Sequence, residues 1–482
     1  MAMGKWQTQR QQEMWIAAAD LPVPAAEPFY RKLNEVLAEQ GFDAFLEGLC
    51  QKFYHDELGR PSIPPGVYFR MLLLGYFEGI DSERGIAWRC GDSLSFRAFL
   101  NLPLPQATPD HSSLSRIRGR MDLETHEEVF TWVLNLLAQR RLVKGQTLGV
   151  DATTLEANAA LRSLVRRETG ESYLDFLRKL AAASGIATPT REDLAKLDRQ
   201  RKNKASNDDW VNPHDPDAKI AKMKDGRTHL AHKAEHAVDL DSGAIVAVTL
   251  TGADQGDTTT LYDTVTEAAV QLNSVADAAW AGTGMAAPVI QEVVADKGYH
   301  SNETTRDLRD NEIRTYISEP DRGRRVWTDP ATGQVKSAER AAVYANRRRI
   351  RGRRGKALLR QRGELLERPF AHCYETGGMR RTHLRGHPNI LKRLLIHVAG
   401  FNLGLVMRQL LGIGKPRRVQ DGLGAVLLTL LGQLRAFLDA WEAFWRHGRG
   451  LDPTSAIPAV QTTPAPPPDV RRHNPAFFNG LL

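Results

Sequence analysis

Cysteine is almost missing from this chain: there are three in 482 residues, Cys50, Cys90 and Cys373, with no CxxC pair. That scatter excludes a disulfide-stapled scaffold and argues against a structural zinc site. No stretch approaches the roughly 20 uninterrupted apolar residues of a membrane helix. The best candidate, Gly424 to Gly432, is short and runs into Gln433 and Arg435. The N-terminal MAMGKWQTQRQQEMW lacks the apolar segment of a secretory signal, so a reducing cytoplasm is the expected compartment. Internal repeats are absent as well. What remains is 42% hydrophobic and 25% charged, the composition of a water-soluble globular protein. Its length allows two or three domains and a large core.

The basic excess is modest, 65 Lys and Arg against 57 Asp and Glu, but it is unevenly placed. The run RRRIRGRRGKALLRQR, residues 347–362, holds nine basic residues and no acid. Solvated charged faces normally mix both signs. A one-signed run points to a polyanion, with nucleic acid first among the candidates. Arg347, Arg348, Arg349, Arg351, Arg353 and Arg354 are its expected phosphate contacts.

Residues 1–140 read as helical. PPGVYFRMLLLGYFEGI and HEEVFTWVLNLLAQRRL carry apolar residues at helical spacing, the first behind a proline start. Between them Asp110 is placed to cap a short helix that shows Arg116, Arg118 and Arg120 among serines. Such a helix suits contact with DNA; it is equally an ordinary polar surface helix. After Gly145 the pattern changes. TLGVDATTLEA is β-rich, and a charged, largely helical segment is expected over 161–227. HLAHKAEHAVDLDSGAIVAVTL reads as a hairpin around Asp-Ser-Gly. GDTTTLYDTVTEAAVQL reads as a helix capped by Asp257. VVADKGYHS reads as a buried strand that ends on Asp296, with Lys297 and His300 on the loop beyond. A C-terminal amphipathic helix is expected over 412–450 and a Pro-rich disordered tail over 451–482.

The middle of the chain is thus strand, hairpin, helix, strand, helix, strand, helix, which predicts one mixed sheet with helices on its faces. If the first and fourth strands are neighbours, Asp151 and Asp296 lie side by side. Glu367 on the last helix is the candidate third carboxylate, with Glu364 one turn earlier. Three carboxylates in one place require a cation between them. Oxygen-only ligands suit Mg²⁺ or Mn²⁺, and a pair of such ions serves in-line displacement at a phosphodiester.

GVDATTLEAN, HKAEHAVD, GDTTTL, VVADKGYHS and ERPFAH followed by GGMRRTHLRG resemble bacterial insertion-sequence transposases of the DDE class. RPSIPPGVYFRMLLLGYFEGIDSERGIAWRC and TPDHSSLSRIR resemble the helical N-terminal domain of the same proteins. The resemblance spans about residues 10–411. It implies a five-stranded RNase H-like domain over 145–411 behind a DNA-binding helical domain at 1–140. It further implies a triad of Asp151, Asp296 and Glu367 with Mg²⁺ or Mn²⁺. The implied reaction cuts double-stranded DNA at transposon ends and joins the freed 3′-hydroxyl to target DNA, with a homo-oligomer expected in the synaptic complex. Arg380 and Arg381, in the GGMRRTHLRG stretch, join Lys297 as expected DNA contacts. Where relatives place Tyr, Arg and Lys around the third acid, this chain has Arg360, Gly363 and Tyr374. A repurposed DNA-binding protein and a nuclease of the same fold without strand transfer are the competing readings.

Overall fold

Among the described residues, apolar positions at helical spacing produce seven α-helices before the first long strand. They are α1 (Glu27–Glu39), α2 (Phe42–Cys50), α3 (Pro65–Glu78), α4 (Glu83–Asp92), α5 (Leu94–Phe99), α6 (His111–Arg120) and α7 (Leu123–Gln139). Proline begins α3, where its missing N–H costs nothing, and Gly79 at φ 67° closes it. Asp110 caps α6 and Asp122 caps α7, each accepting a backbone N–H at 2.8 Å. The computed structural model describes residues 27–416 apart from 56–61, 202–204, 224–225, 282–287, 322, 324 and 329–332. From residue 417 onward, the expected C-terminal helix and Pro-rich tail lie outside the described residues.

Strand β1 (Thr147–Glu156) opens the sheet. The next segment departs from its expected helical character. It contains α8 (Tyr173–Ala183) and α9 (Arg191–Gln200), but also the paired short strands β2 (Val165–Arg166) and β3 (Trp210–Val211), and β4 (Lys219–Lys222). It has a small core of its own around Leu164, Trp210 and Leu230. The hairpin follows as β5 (Thr228–Asp239) and β6 (Ile245–Gly252), with Gly243 at φ 79° in the turn. Then come α10 (Asp257–Ser274), α11 (Asp277–Ala281), β7 (Glu292–Ala295), α12 (Asn302–Asp310), β8 (Arg314–Ile317), α13 (Ser337–Arg351), α14 (Arg353–Phe370) and α15 (His387–Leu411).

Six strands form the main sheet, one more than expected. The path β6-β5-β1-β7-β8 is antiparallel through the hairpin and β1, then parallel. The extra strand is β4, which prolongs β6's edge of β5 by pairing with residues 228–231. Two asparagines close the buried edges. Asn402 of α15 accepts from the Ile245 N–H and donates to its carbonyl, at 3.0 and 2.8 Å. Asn346 of α13 does the same for Ile317, at 3.1 and 2.7 Å. A buried edge strand leaves backbone groups unpaired, and a side-chain amide supplies both partners.

Helix α15 is long and apolar enough to cross a membrane, yet the apolar window is 89% buried inside this fold. It packs against α3, α7 and β6, joining the helical region to the sheet. Its buried Lys392 donates to the carbonyls of Arg118 and Met121, and His397 meets the Cys373 carbonyl at 2.9 Å.

One glycine governs how α14 reaches the sheet. A Cβ at Gly149 would lie 2.5 Å from Leu366 Cδ1 and 2.7 Å from Leu240 Cδ2. Gly149→Val is therefore expected to lift α14 and cost about 1–3 kcal/mol, read as a lower midpoint in urea unfolding. An unchanged midpoint would mean that α14 is not seated there.

Candidate active site

The register settles the neighbours of Asp151. Val150 pairs with Ala295 in the parallel ladder, so the next residues along, Asp151 and Asp296, stand side by side at the carboxyl end of β7. On its other side Asp151 pairs with His236. Side chains directly opposite share a face of a sheet, and α14 with the turn after it covers this one. Leu366 lies over Gly149, and Phe370 and Tyr374 pack on His236, whose Nε2 is 2.6 Å from the Tyr374 hydroxyl.

Arg362 reaches down from α14 and donates to Asp151 Oδ2 at 2.9 Å. Burial raises the Asp151 carboxyl above its ordinary range; Arg362 and the Ala152 N–H oppose the rise, and Asp296 and Asp257 add to it. His236 cannot share the compensation, because burial lowers its imidazole to about 3 and keeps it neutral. One step along β1, Arg380 donates to Thr153 Oγ1 at 2.8 Å, so a second guanidinium stands on the Asp151 face. Arg381 is exposed beside Glu156.

The expected third carboxylate is not gathered with the other two. Among the described residues no three His, Cys, Asp or Glu side chains are grouped to hold one ion. Glu364 and Glu367 are both exposed. Successive residues of a helix turn by about 100°, which makes Leu358, Arg362, Leu366 and Pro369 the stripe facing the sheet. Arg354 and Gln361 flank that stripe on one side, bound to Glu292 and to the Leu240 carbonyl, where β7 begins. Gly363 and Phe370 occupy the opposite flank, and Phe370 packs at the level of Asp151. Glu364 and Glu367 both point away from the sheet. Pro369 lies inside α14 without ending it, and the chain widens beyond it into a π turn over Ala371–Glu375.

Several basic residues expected on DNA are occupied within the fold. Arg118 is paired with Glu83 and largely buried. Arg347 grips Glu319 with two bonds, at 2.5 and 2.9 Å. Arg349 donates to Thr315, and Arg354 holds Glu292. Those bonds tie α13 and α14 to β7 and β8, consuming charge that composition alone assigns to solvent. Arg348, Arg351 and Arg353 are exposed, as are Lys297, Arg116 and Arg120. Arg116 folds back on Ser112, and Arg120 lies over the Tyr54 ring at 5.1 Å. Along the outer side of α14, Arg353, Lys356 and Arg360 form an exposed row at helical spacing that leads toward Glu367.

Asp257 is not the cap of α10. Gly256 holds that position, and the Asp257 carboxylate is bound by Lys233 at 2.6 Å. Arg362 was likewise hidden by the basic run around it. Its signal in the sequence is the four-residue spacing Leu358, Arg362, Leu366, which places it on the sheet-facing stripe.

The family described as Transposase domain (DUF772) matches residues 19–120, and the family described as Transposase DDE domain matches residues 196–403. No curated protein and no solved structure matches the chain. The second match contains Asp296 and Glu367 and begins after Asp151. The helical region and the sheet thus carry, in chain order, two transposase domains that span nearly two thirds of the sequence, and the chain belongs to the insertion-sequence transposases of the DDE type, which bind DNA, cut it and transfer the cut strand.

Proposed function

We propose that Asp151, Asp296 and Glu367 are the carboxylates that hold divalent metal for cleavage at the element's terminal inverted repeats and strand transfer into target DNA. The observation that carries this reading is the Val150–Ala295 register, which sets two carboxylates side by side. The donor set fits a hard cation: it is oxygen only, and the repulsion between the two aspartates is met within the fold by Arg362. DDE domains use divalent ions; Mg²⁺ or Mn²⁺, two per site, is the proposed complement. When bound, such ions activate the attacking oxygen and stabilise the leaving one.

The protein's own groups position the DNA. Arg380, fixed on Thr153 and paired with Glu375, is the proposed contact for a phosphate beside Asp151. The row Arg353, Lys356 and Arg360 tracks the backbone toward the site, with Arg348 and Arg351 extending it. Residues 1–140, through Arg116 and Arg120, are proposed to engage the terminal repeat. Joining two ends requires two sites, so a homo-oligomer acting in the bacterial cytoplasm is the proposed working form.

The test uses the full chain, duplex DNA carrying the element's ends, and MgCl₂. Nicks at the ends and joined products that vanish with a chelator support the reading. Cleavage that persists in chelator defeats it.

The basic row has its own expected result. Replacing Arg348, Arg351 and Arg353 with glutamine should weaken binding to every duplex and reduce the salt slope by roughly one per lost phosphate contact. Replacing Arg347 and Arg349 should instead lower thermal stability, because both are bound to β8 or to Glu319 just beyond it. Equal salt slopes for the two variants would refute this division.

A further inference from the structure

Asp151 and Asp296 are held by different means. Asp151 lies inside the ladder, paired with His236. Asp296 lies one residue past the last ladder pair, Val150–Ala295, and is exposed. Its place therefore depends on the short turn that follows it, Lys297–Tyr299. Beneath that turn, on the opposite face of the sheet from Arg362, is a buried polar network that the reaction as described does not use.

Lys233 and Glu235 of β5 are 5% and 2% exposed, and Tyr299 is 1% exposed. Glu235 Oε1 accepts from the Tyr299 hydroxyl at 2.8 Å and from Thr260 Oγ1 at 2.9 Å. Lys233 Nζ donates to Thr260 Oγ1 at 3.0 Å, pairs with Asp257 at 2.6 Å and lies 3.6 Å from Glu235. The Asp257 carboxylate in turn abuts Gly298, where a Cβ would fall 2.8 Å from Oδ2. Two tethers thus run from the Asp296 turn to the central hairpin, one hydrogen-bonded through Tyr299 and Glu235, the other a packing contact of Gly298 on the Asp257 carboxylate that Lys233 holds. Burying two charges, Lys233 and Glu235, for packing alone is poorly rewarded, since apolar residues of similar volume do as well or better. Bonds at the Tyr299 hydroxyl, Thr260 and the Lys233 ammonium do fix geometry.

We infer that Lys233, Glu235 and Tyr299 are positioning residues that hold Asp296 at the distance from Asp151 that a shared divalent cation requires. This rests on the metal site proposed above. Groups behind a metal ligand orient it, and their loss costs about 10–100-fold in affinity or activity.

The experiment measures Mn²⁺ binding to the full chain by electron paramagnetic resonance, alongside cleavage against Mg²⁺ concentration. Tyr299→Phe removes one hydroxyl and preserves the ring. It should weaken Mn²⁺ binding and raise the Mg²⁺ needed for half-maximal cleavage, each by about tenfold, with duplex affinity unchanged. Glu235→Gln should act alike, and the double variant should be no worse than Glu235→Gln alone, because both break one tether. Lys233→Met probes the second tether; should it fail to fold, the Tyr299→Phe result decides. Wild-type Mn²⁺ affinity in Tyr299→Phe, whatever its melting temperature, overturns the inference while leaving the metal site standing. Wild-type Mn²⁺ affinity in Asp296→Asn overturns the site itself, and this inference with it.

Discussion

Asp151→Asn and Asp296→Asn are each expected to reduce DNA cleavage and strand joining on the order of a thousandfold or more, with duplex binding within about threefold of wild type. Both substitutions keep the shape of the side chain and remove its charge. At Asp151 the surroundings are built around that charge. Arg362 donates to it, its own strand supplies the Ala152 N–H, and burial makes the carboxylate costly unless a cation is near. An asparagine there leaves Arg362 facing a neutral amide and offers a hard cation a weaker ligand. Asp296 is exposed and ends its strand, so its amide variant should fold without difficulty. Duplex binding should persist because the phosphate contacts are proposed to lie on the basic row of α14 and the helical region. The measurement is single-turnover cleavage of end-containing duplex with a parallel filter-binding titration. Activity in either variant within tenfold of wild type would remove that aspartate from the site.

Glu367→Gln is expected to eliminate cleavage, with Glu364→Gln reducing it by no more than about threefold. The two residues are one turn apart and similar in exposure, so composition cannot rank them. The helix can. With Arg362 and Leu366 directed at the sheet both glutamates project outward, but Glu367 lies one turn nearer Phe370, which packs beside the cross-strand partner of Asp151. The π turn beyond Pro369 adds play to that end of the helix, and widened turns of this kind recur at functional sites. Both glutamates stand about 150° from the sheet-facing stripe; Glu367 is preferred because it lies a turn nearer the π turn and Phe370. Comparable losses in both variants, or a larger one at Glu364, would reassign the third ligand.

The order of strands and helices around Asp151 and Asp296 was legible in the chain because its signals are local. A two-residue alternation makes β5, an Asp-Ser-Gly turn returns it as β6, and Asp110 and Ser301 cap the helices that follow them. From those elements one mixed sheet follows, and with it the pairing of two aspartates 145 residues apart. The allocation of charge was not legible. Nine basic residues in sixteen look alike when read in a row, yet Arg347 is taken by Glu319, Arg354 by Glu292 and Arg362 by Asp151, partners 28, 62 and 211 positions away. The same holds for Lys233, whose ammonium looks solvated in HKAEH and is instead buried between Glu235 and Asp257. Helical and strand periods are set by hydrogen bonds within a few residues, whereas the partner of a long charged side chain is whichever group packing brings within reach. That selection is made when α10 and α14 settle on opposite faces of the sheet, and within the run it leaves Arg348, Arg351, Arg353, Lys356 and Arg360 exposed to solvent.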